Sequence, residues 1–207
     1  MIIGKTRRNC ENNLSNNISK GMYYKISRLA RQFIIDNNIN SLPVNLGQLI
    51  FNNHWRVISY AKAFDIVNLE EHKIMQECSG YVQKLNGNYY IFYDNTLDIP
   101  TQRFTIAHEI GHIVMQHFAN MSPSREKEAN MFASRLLMPM CVLHECNISS
   151  YTELQQMCNV NENLAEYRYN RLIMLKERNK FYTDKLELVV KRQFDAFIED
   201  YRNTHQL

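Results

Sequence analysis

The stretch that most constrains this chain is Thr105-Ile106-Ala107-His108-Glu109-Ile110-Gly111-His112-Ile113, because it contains His-Glu-x-x-His. On a helix, His108 and His112 stand four residues apart, project from one face and can share one metal ion. Glu109 points about 100° away from His108, close to a water that such an ion would hold. Zinc brings the pKa of that water towards neutrality, and the carboxylate takes its proton. The surroundings favour a task for Glu109. It is the one formally charged residue between Phe104 and Phe118, and a lone carboxylate in an apolar helix is costly without a partner or a role. Gly111 costs a helix interior about 1 kcal/mol against alanine, and it leaves room for something to approach the backbone. His117 follows His108 by nine residues. On a continuing helix it would lie half a turn round, facing away, so it is not expected to be a ligand.

A zinc site needs a third protein ligand and keeps a fourth position open. The next expected helix can supply it. Ser122-Pro123 reads as an N-cap and a first-turn proline, and Pro139 stops the helix. Its apolar stripe is Ala129, Phe132, Ala133, Leu136, Leu137 and Met140. Glu126 and Glu128 compete for the ligand role. Glu126 lies about 45° from the centre of the stripe and Glu128 well over 100° away, which favours Glu126. Asn130, one turn on, is placed to hydrogen-bond a metal-binding histidine.

The segments Arg103–Ile113, Glu126-Lys-Glu-Ala-Asn-Met-Phe-Ala133 and Leu136-Leu-Met-Pro139 resemble the ImmA/IrrE-type metallopeptidases. The Glu-x-x-x-Asn piece is also similar to the Glu-x-x-x-Asp motif of thermolysin-like zinc peptidases, which again points to Glu126. The resemblance spans residues 22–175 and is closest at the two motif helices. It implies an α+β, zincin-like fold with a small antiparallel sheet beside the active-site helix, followed by C-terminal helices with a helix-turn-helix outline. It implies one zinc ion on His108, His112 and Glu126, with Glu109 as general base. It also implies a cytoplasmic endopeptidase that cuts a helix-turn-helix transcriptional repressor, in phage or mobile-element control or in a stress response. Manganese or iron would also suit two histidines and a carboxylate. Two other readings remain: a non-cleaving regulator of the same fold that binds a repressor, and a DNA-binding protein with structural zinc. A pure binder has no need of Glu109.

Composition narrows the class. The net charge of +3 is too small to argue for nucleic acid, and direct DNA binding is not expected. No apolar run approaches the roughly 18 residues that span a bilayer, and the N-terminus lacks the apolar core of a signal peptide. Five cysteines without a Cys-x-x-Cys fit reduced thiols; a zinc site on Cys141, Cys146 and Cys158 is a weaker alternative.

The expected organisation is a loose tail at 1–20, a peptidase domain at 21–145 and a helical subdomain at 146–207. Helical spacing covers 22–38, and Asn45 can cap a helix to Asn53. Trp55–Tyr60 reads as a strand, and 61–78 as a short helix or a loop able to act as a lid. Gly80–Leu85, Asn86-Gly87 and Asn88–Asp94 form the clearest hairpin signal, a candidate rest for a substrate strand. Thr152 and Asn161 can cap the two helices of the helix-turn-helix outline. There Arg168 and Arg171 are expected to pack rather than to read DNA. Asp184–Tyr201 reads as one amphipathic helix. Tyr81, Tyr90 and His144 are candidate donors to a reaction oxyanion.

Overall fold

The computed structural model describes residues 2–7, 18–65, 67–117 and 122–205, the first of these as backbone alone. The chain divides into two units, Met1–Lys20 with Leu46–Ala133, and Gly21–Asn45 with Ser134–Leu207. Both are assembled from separated pieces of chain, unlike the consecutive division expected from sequence.

The first unit is built on a four-stranded sheet of order β1-β3-β4-β2. β3 (Cys78–Leu85) and β4 (Asn88–Tyr93) are the expected hairpin, paired from Gly80↔Tyr93 to Leu85↔Asn88. Asn86 (φ 48°) and Gly87 (φ 83°) both adopt positive φ, the backbone a two-residue type I′ turn needs. β1 (Ile2–Arg7) pairs antiparallel with β3. The start of the expected loose tail is therefore an edge strand; residues 8–17 lie outside the described ones. β2 (Arg56–Ser59) pairs parallel to β4, so the sheet is mixed rather than wholly antiparallel.

The segment after β2 is helical. α3 (Tyr60–Ala63) starts at Ser59, and α4 (Leu69–Glu77) starts with a capping box. Asn68 Oδ1 accepts from the Glu70 and Glu71 amides at 3.0 Å, while the Asn68 amide donates to Glu71 Oε2 at 2.9 Å. Gln83 Nε2 donates to Glu71 Oε1 at 2.9 Å, tying α4 to β3. Tyr60, Ala63, Ile74, Met75, Cys78, Tyr81 and Phe92 form the core beneath these helices. The other unit-1 helices are α2 (Leu46–Asn52), α5 (Ile99–Val114) and the greater part of α6 (Pro123–Leu137). Asp98 caps α5 by accepting from the Thr101 amide at 2.9 Å, and Pro100 occupies its first turn.

The second unit is helical, with α1 (Lys20–Asp36), α7 (Met140–Glu145), α8 (Tyr151–Cys158), α9 (Glu162–Glu177), α10 (Lys185–Gln193) and α11 (Asp195–His205). α8 and α9 realise the helix-turn-helix outline. Asn159 (φ 50°) ends the first helix and Asn161 Oδ1 caps the second at 2.9 Å. Ser150, not Thr152, caps α8. Arg168 is 3% exposed and donates to the Met138 carbonyl at 2.6 Å, so it packs and does not face a ligand. The expected C-terminal helix is two. The Phe194 amide bonds to both Val190 and Lys191 carbonyls, tightening the turn between α10 and α11.

Candidate active site

α5 and α6 bring the expected ligands together. His108 Nε2 lies 2.9 Å from His112 Nε2. Glu126 Oε2 is 3.4 Å from the first and Glu126 Oε1 3.5 Å from the second. His108, Glu109 and His112 are fully buried. Gly111 makes the approach possible. A Cβ there would stand 3.3 Å from both Cα and O of Ala129 and 3.2 Å from Phe132 Cδ1, so the two helix backbones touch where a side chain would hold them apart.

The proton pattern tests whether a cation suits this triangle. His108 Nδ1 is 2.6 Å from Asn130 Oδ1. A carbonyl oxygen only accepts, so that nitrogen carries the hydrogen and Nε2 of the neutral ring offers a lone pair. Both oxygens of Glu126 are buried without a hydrogen-bond partner. Such acceptors facing one another are unfavourable without a positive charge between them. Ligands about 2.05 Å from zinc in tetrahedral array are about 3.3 Å apart, close to the observed spacings. The donor set fits a divalent cation, and His108, His112 and Glu126 form a group able to hold one.

The electrostatics agree. Burial first, then the charges of His108 and His117, hold the His112 imidazole well below its ordinary pKa, which keeps it neutral and able to ligate. Burial presses His108 the same way, but the neighbouring carboxylates of Glu126 and Glu109 outweigh it and raise the value. A cation would take the place of that proton.

Glu109 lies on the sheet side of α5. Its Oε1 is 3.7 Å from where a Cβ on residue 80 would stand, and Thr105 Cγ2 would be only 2.4 Å from it. Gly80 is thus a site residue that helical periodicity could not reveal; the signal was a glycine opening a strand.

His117 departs from expectation. α5 stops at Val114, Gln116 turns left-handed at φ 55°, and the His117 amide bonds to the His112 carbonyl at 3.1 Å. With the Gln116 amide on the Ile113 carbonyl at 3.1 Å, this is a Schellman ending. It folds His117 back over His112, with the two Nδ1 atoms 3.0 Å apart. His117 stays outside the converging group but does not face away. The usual glycine marker of such an ending is absent at Gln116. Glu128 does not join Glu126; its Oε2 is 3.2 Å from His117 Nε2.

Other expectations are corrected. Gly80 faces α5, so its strand neighbour Tyr81 points to the opposite sheet face, where it stacks on Phe92 with centroids 4.6 Å apart. Tyr90 packs against the same cluster. Neither faces α5, so neither serves as an oxyanion donor beside it. His144 belongs to the helical unit, stacked on Phe181 at 3.9 Å. β3 and β4 are flanked by β1 and β2, so the hairpin offers no free edge to a substrate. Cys141, Cys146 and Cys158 are buried thiols outside any metal-binding group among the described residues; burial pushes the first two up to about 12.

Residues 63–179, more than half of the chain, match the peptidase family described as the IrrE N-terminal-like domain. No curated protein and no solved structure matches.

Proposed function

The chain belongs to the IrrE N-terminal-like peptidase family, and from that premise we propose that it is a zinc-dependent endopeptidase that cleaves a helix-turn-helix transcriptional repressor. The observation that carries this reading is the convergence of His108 and His112, on the helix that also bears Glu109, with Glu126 of α6. A cation held there would supply Lewis acidity to a scissile carbonyl and lower the pKa of the attacking water. Glu109 accepts the proton of that water as its oxygen bonds the carbonyl carbon. It then hands the proton to the amine nitrogen as the C–N bond breaks. Asn130 holds the Nδ1–H of His108 and so turns the Nε2 lone pair into the triangle.

The substrate class rests on the family resemblance. The peptidase unit also holds a cavity of about 530 Å³ lined by Tyr60, Phe64, His72, Met75, Asp94 and Asn95. Among the described residues no helix is long and apolar enough to cross a membrane, and we place the reaction in the cytoplasm.

The test is cleavage of a candidate helix-turn-helix repressor by the purified protein, with and without zinc, next to Glu109→Gln. Metal-dependent cutting that the variant loses while still binding repressor is expected. A wild type that binds zinc and repressor but leaves the repressor whole overturns the endopeptidase reading in favour of a non-cleaving regulator.

A further inference from the structure

We propose that Glu128 and His117 form a carboxylate–imidazole pair that orients the ring of His112 and selects its tautomer for metal binding, an inference that rests on the metal site proposed above. His112 Nε2 points into the triangle with His108 and Glu126. To donate a lone pair there, the neutral ring must carry its hydrogen on Nδ1. That atom is 3.0 Å from His117 Nδ1. His117 lies outside the metal-binding group, so with no cation between them these two nitrogens need one donor and one acceptor; His117 Nδ1 is bare and its hydrogen sits on Nε2. His117 Nε2 is in turn 3.2 Å from Glu128 Oε2, an acceptor. Every contact is satisfied with the hydrogens pointing from His112 to His117 and from His117 to Glu128.

The pair is built rather than incidental. His117 is 6% exposed. The other oxygen of Glu128 accepts from Ser124 Oγ at 3.1 Å. The Schellman ending of α5 binds the His117 backbone to the His112 carbonyl, so His117 grips His112 through main chain and side chain together. Gln116 holds a left-handed conformation to allow it, one that residues other than glycine rarely adopt. The two ligand histidines are therefore supported unequally. His108 leans on the neutral amide of Asn130, whereas His112 leans on an imidazole backed by a carboxylate, which makes its Nε2 the stronger donor. His117 and Glu128 act through His112 and are positioning residues.

The experiment measures zinc affinity of the full chain by competition with a chromophoric chelator, and the visible spectrum of the cobalt(II) form. His117→Phe keeps the ring volume and loses the acceptor; it is expected to weaken zinc binding about 10- to 100-fold and to shift the cobalt ligand-field bands. Glu128→Gln shifts both in the same direction by less. The double variant binds no more weakly than His117→Phe alone, because Glu128 acts through His117. His117→Gln, which keeps an acceptor, recovers part of the affinity. Unchanged zinc affinity in His117→Phe and Glu128→Gln, or losses that simply add, overturns the proposal while leaving the metal site intact. If His117→Phe does not fold, Glu128→Gln decides alone, unchanged affinity and bands overturning the proposal. Failure of the wild type to bind zinc, with His108→Ala no different, overturns both the proposal and the metal site.

Discussion

Replacing Gly80 by alanine would bring a methyl group to 2.4 Å from Thr105 Cγ2 and 2.9 Å from the Phe92 carbonyl oxygen. Optimal carbon–carbon separation is about 3.5–4.0 Å, so the first contact is more than an ångström too close. Relief is difficult on both sides. Thr105 is buried on α5 with few helical rotamers open to it, and the Phe92 oxygen belongs to the backbone of β4. Overpacking of this kind costs about 1–3 kcal/mol, and two tight contacts place it in the upper half of that range. Against it stands about 0.5–1 kcal/mol from restricting the unfolded chain at a strand glycine. The balance is a net loss of about 1–2.5 kcal/mol, or about 2–10 °C in melting temperature for a chain of this size. Gly21→Ala is the internal control. A Cβ there meets nothing within 4 Å, so the substitution should stabilise α1, by less than the helix-interior value of about 1 kcal/mol because Gly21 stands in the first turn. Thermal and urea unfolding of both variants reads the difference. A Gly80→Ala protein that melts at or above the wild type would refute the close approach of β3 to α5, and with it the placing of Glu109 against that strand. The same methyl would stand 3.7 Å from Glu109 Oε1, so the relaxation that accommodates it should also disturb metal-dependent hydrolysis.

Gly111→Ala should be close to neutral in stability, because the helix-propensity gain of about 1 kcal/mol offsets the 3.3 Å contacts with the Ala129 backbone. It should still weaken zinc binding by moving Glu126 from the histidines; a full propensity gain with unchanged affinity, seen in paired melts and chelator titrations, would count against the tight helix crossing. Zinc at about 1,000 times its Kd should add about 4 kcal/mol of stability, and a chelator should remove it; Glu126→Gln should lose most of this dependence. In the helical unit, burial acts to raise the Glu145 pKa, but hydrogen bonds from Tyr182 and Arg202 and the charge of Arg202 outweigh it and lower the value. A depressed folded pKa contributes stability above the unfolded value and loses it as pH falls through the folded one. Arg202→Ala should therefore be less stable than wild type in urea at pH 7, by a margin that narrows but does not vanish once Glu145 is protonated in both, because Arg202 Nε also donates to the Glu145 carbonyl at 2.8 Å.

The Asn86-Gly87 hairpin and the Asn161 cap were readable because each depends on a few neighbouring residues. The segment 61–78 was not, since the capping box of Asn68 and Glu71 lay among mixed charges without clear periodicity. β1 was hidden for a different reason. Edge pairing is made with the β3 backbone, and a polar N-terminus carries no local mark of the strand it will meet.

The site divides along the same line. Helix pitch alone puts His108 and His112 on one face and turns Glu126 rather than Glu128 towards the core, because 100° per residue is a property of the backbone. Asn130 follows from Glu126 by one turn. The distances among those groups depend on how α6 lies against α5, which rests on the absence of a side chain at Gly111. The support behind His112 depends on where α5 ends, a long-range choice that periodicity extrapolates past. Local geometry therefore named the groups facing the metal position. Packing alone chose what stands behind them, His117 with Glu128, and what lies across from Glu109, Gly80, because those neighbours come from other turns and strands that no spacing in the chain relates.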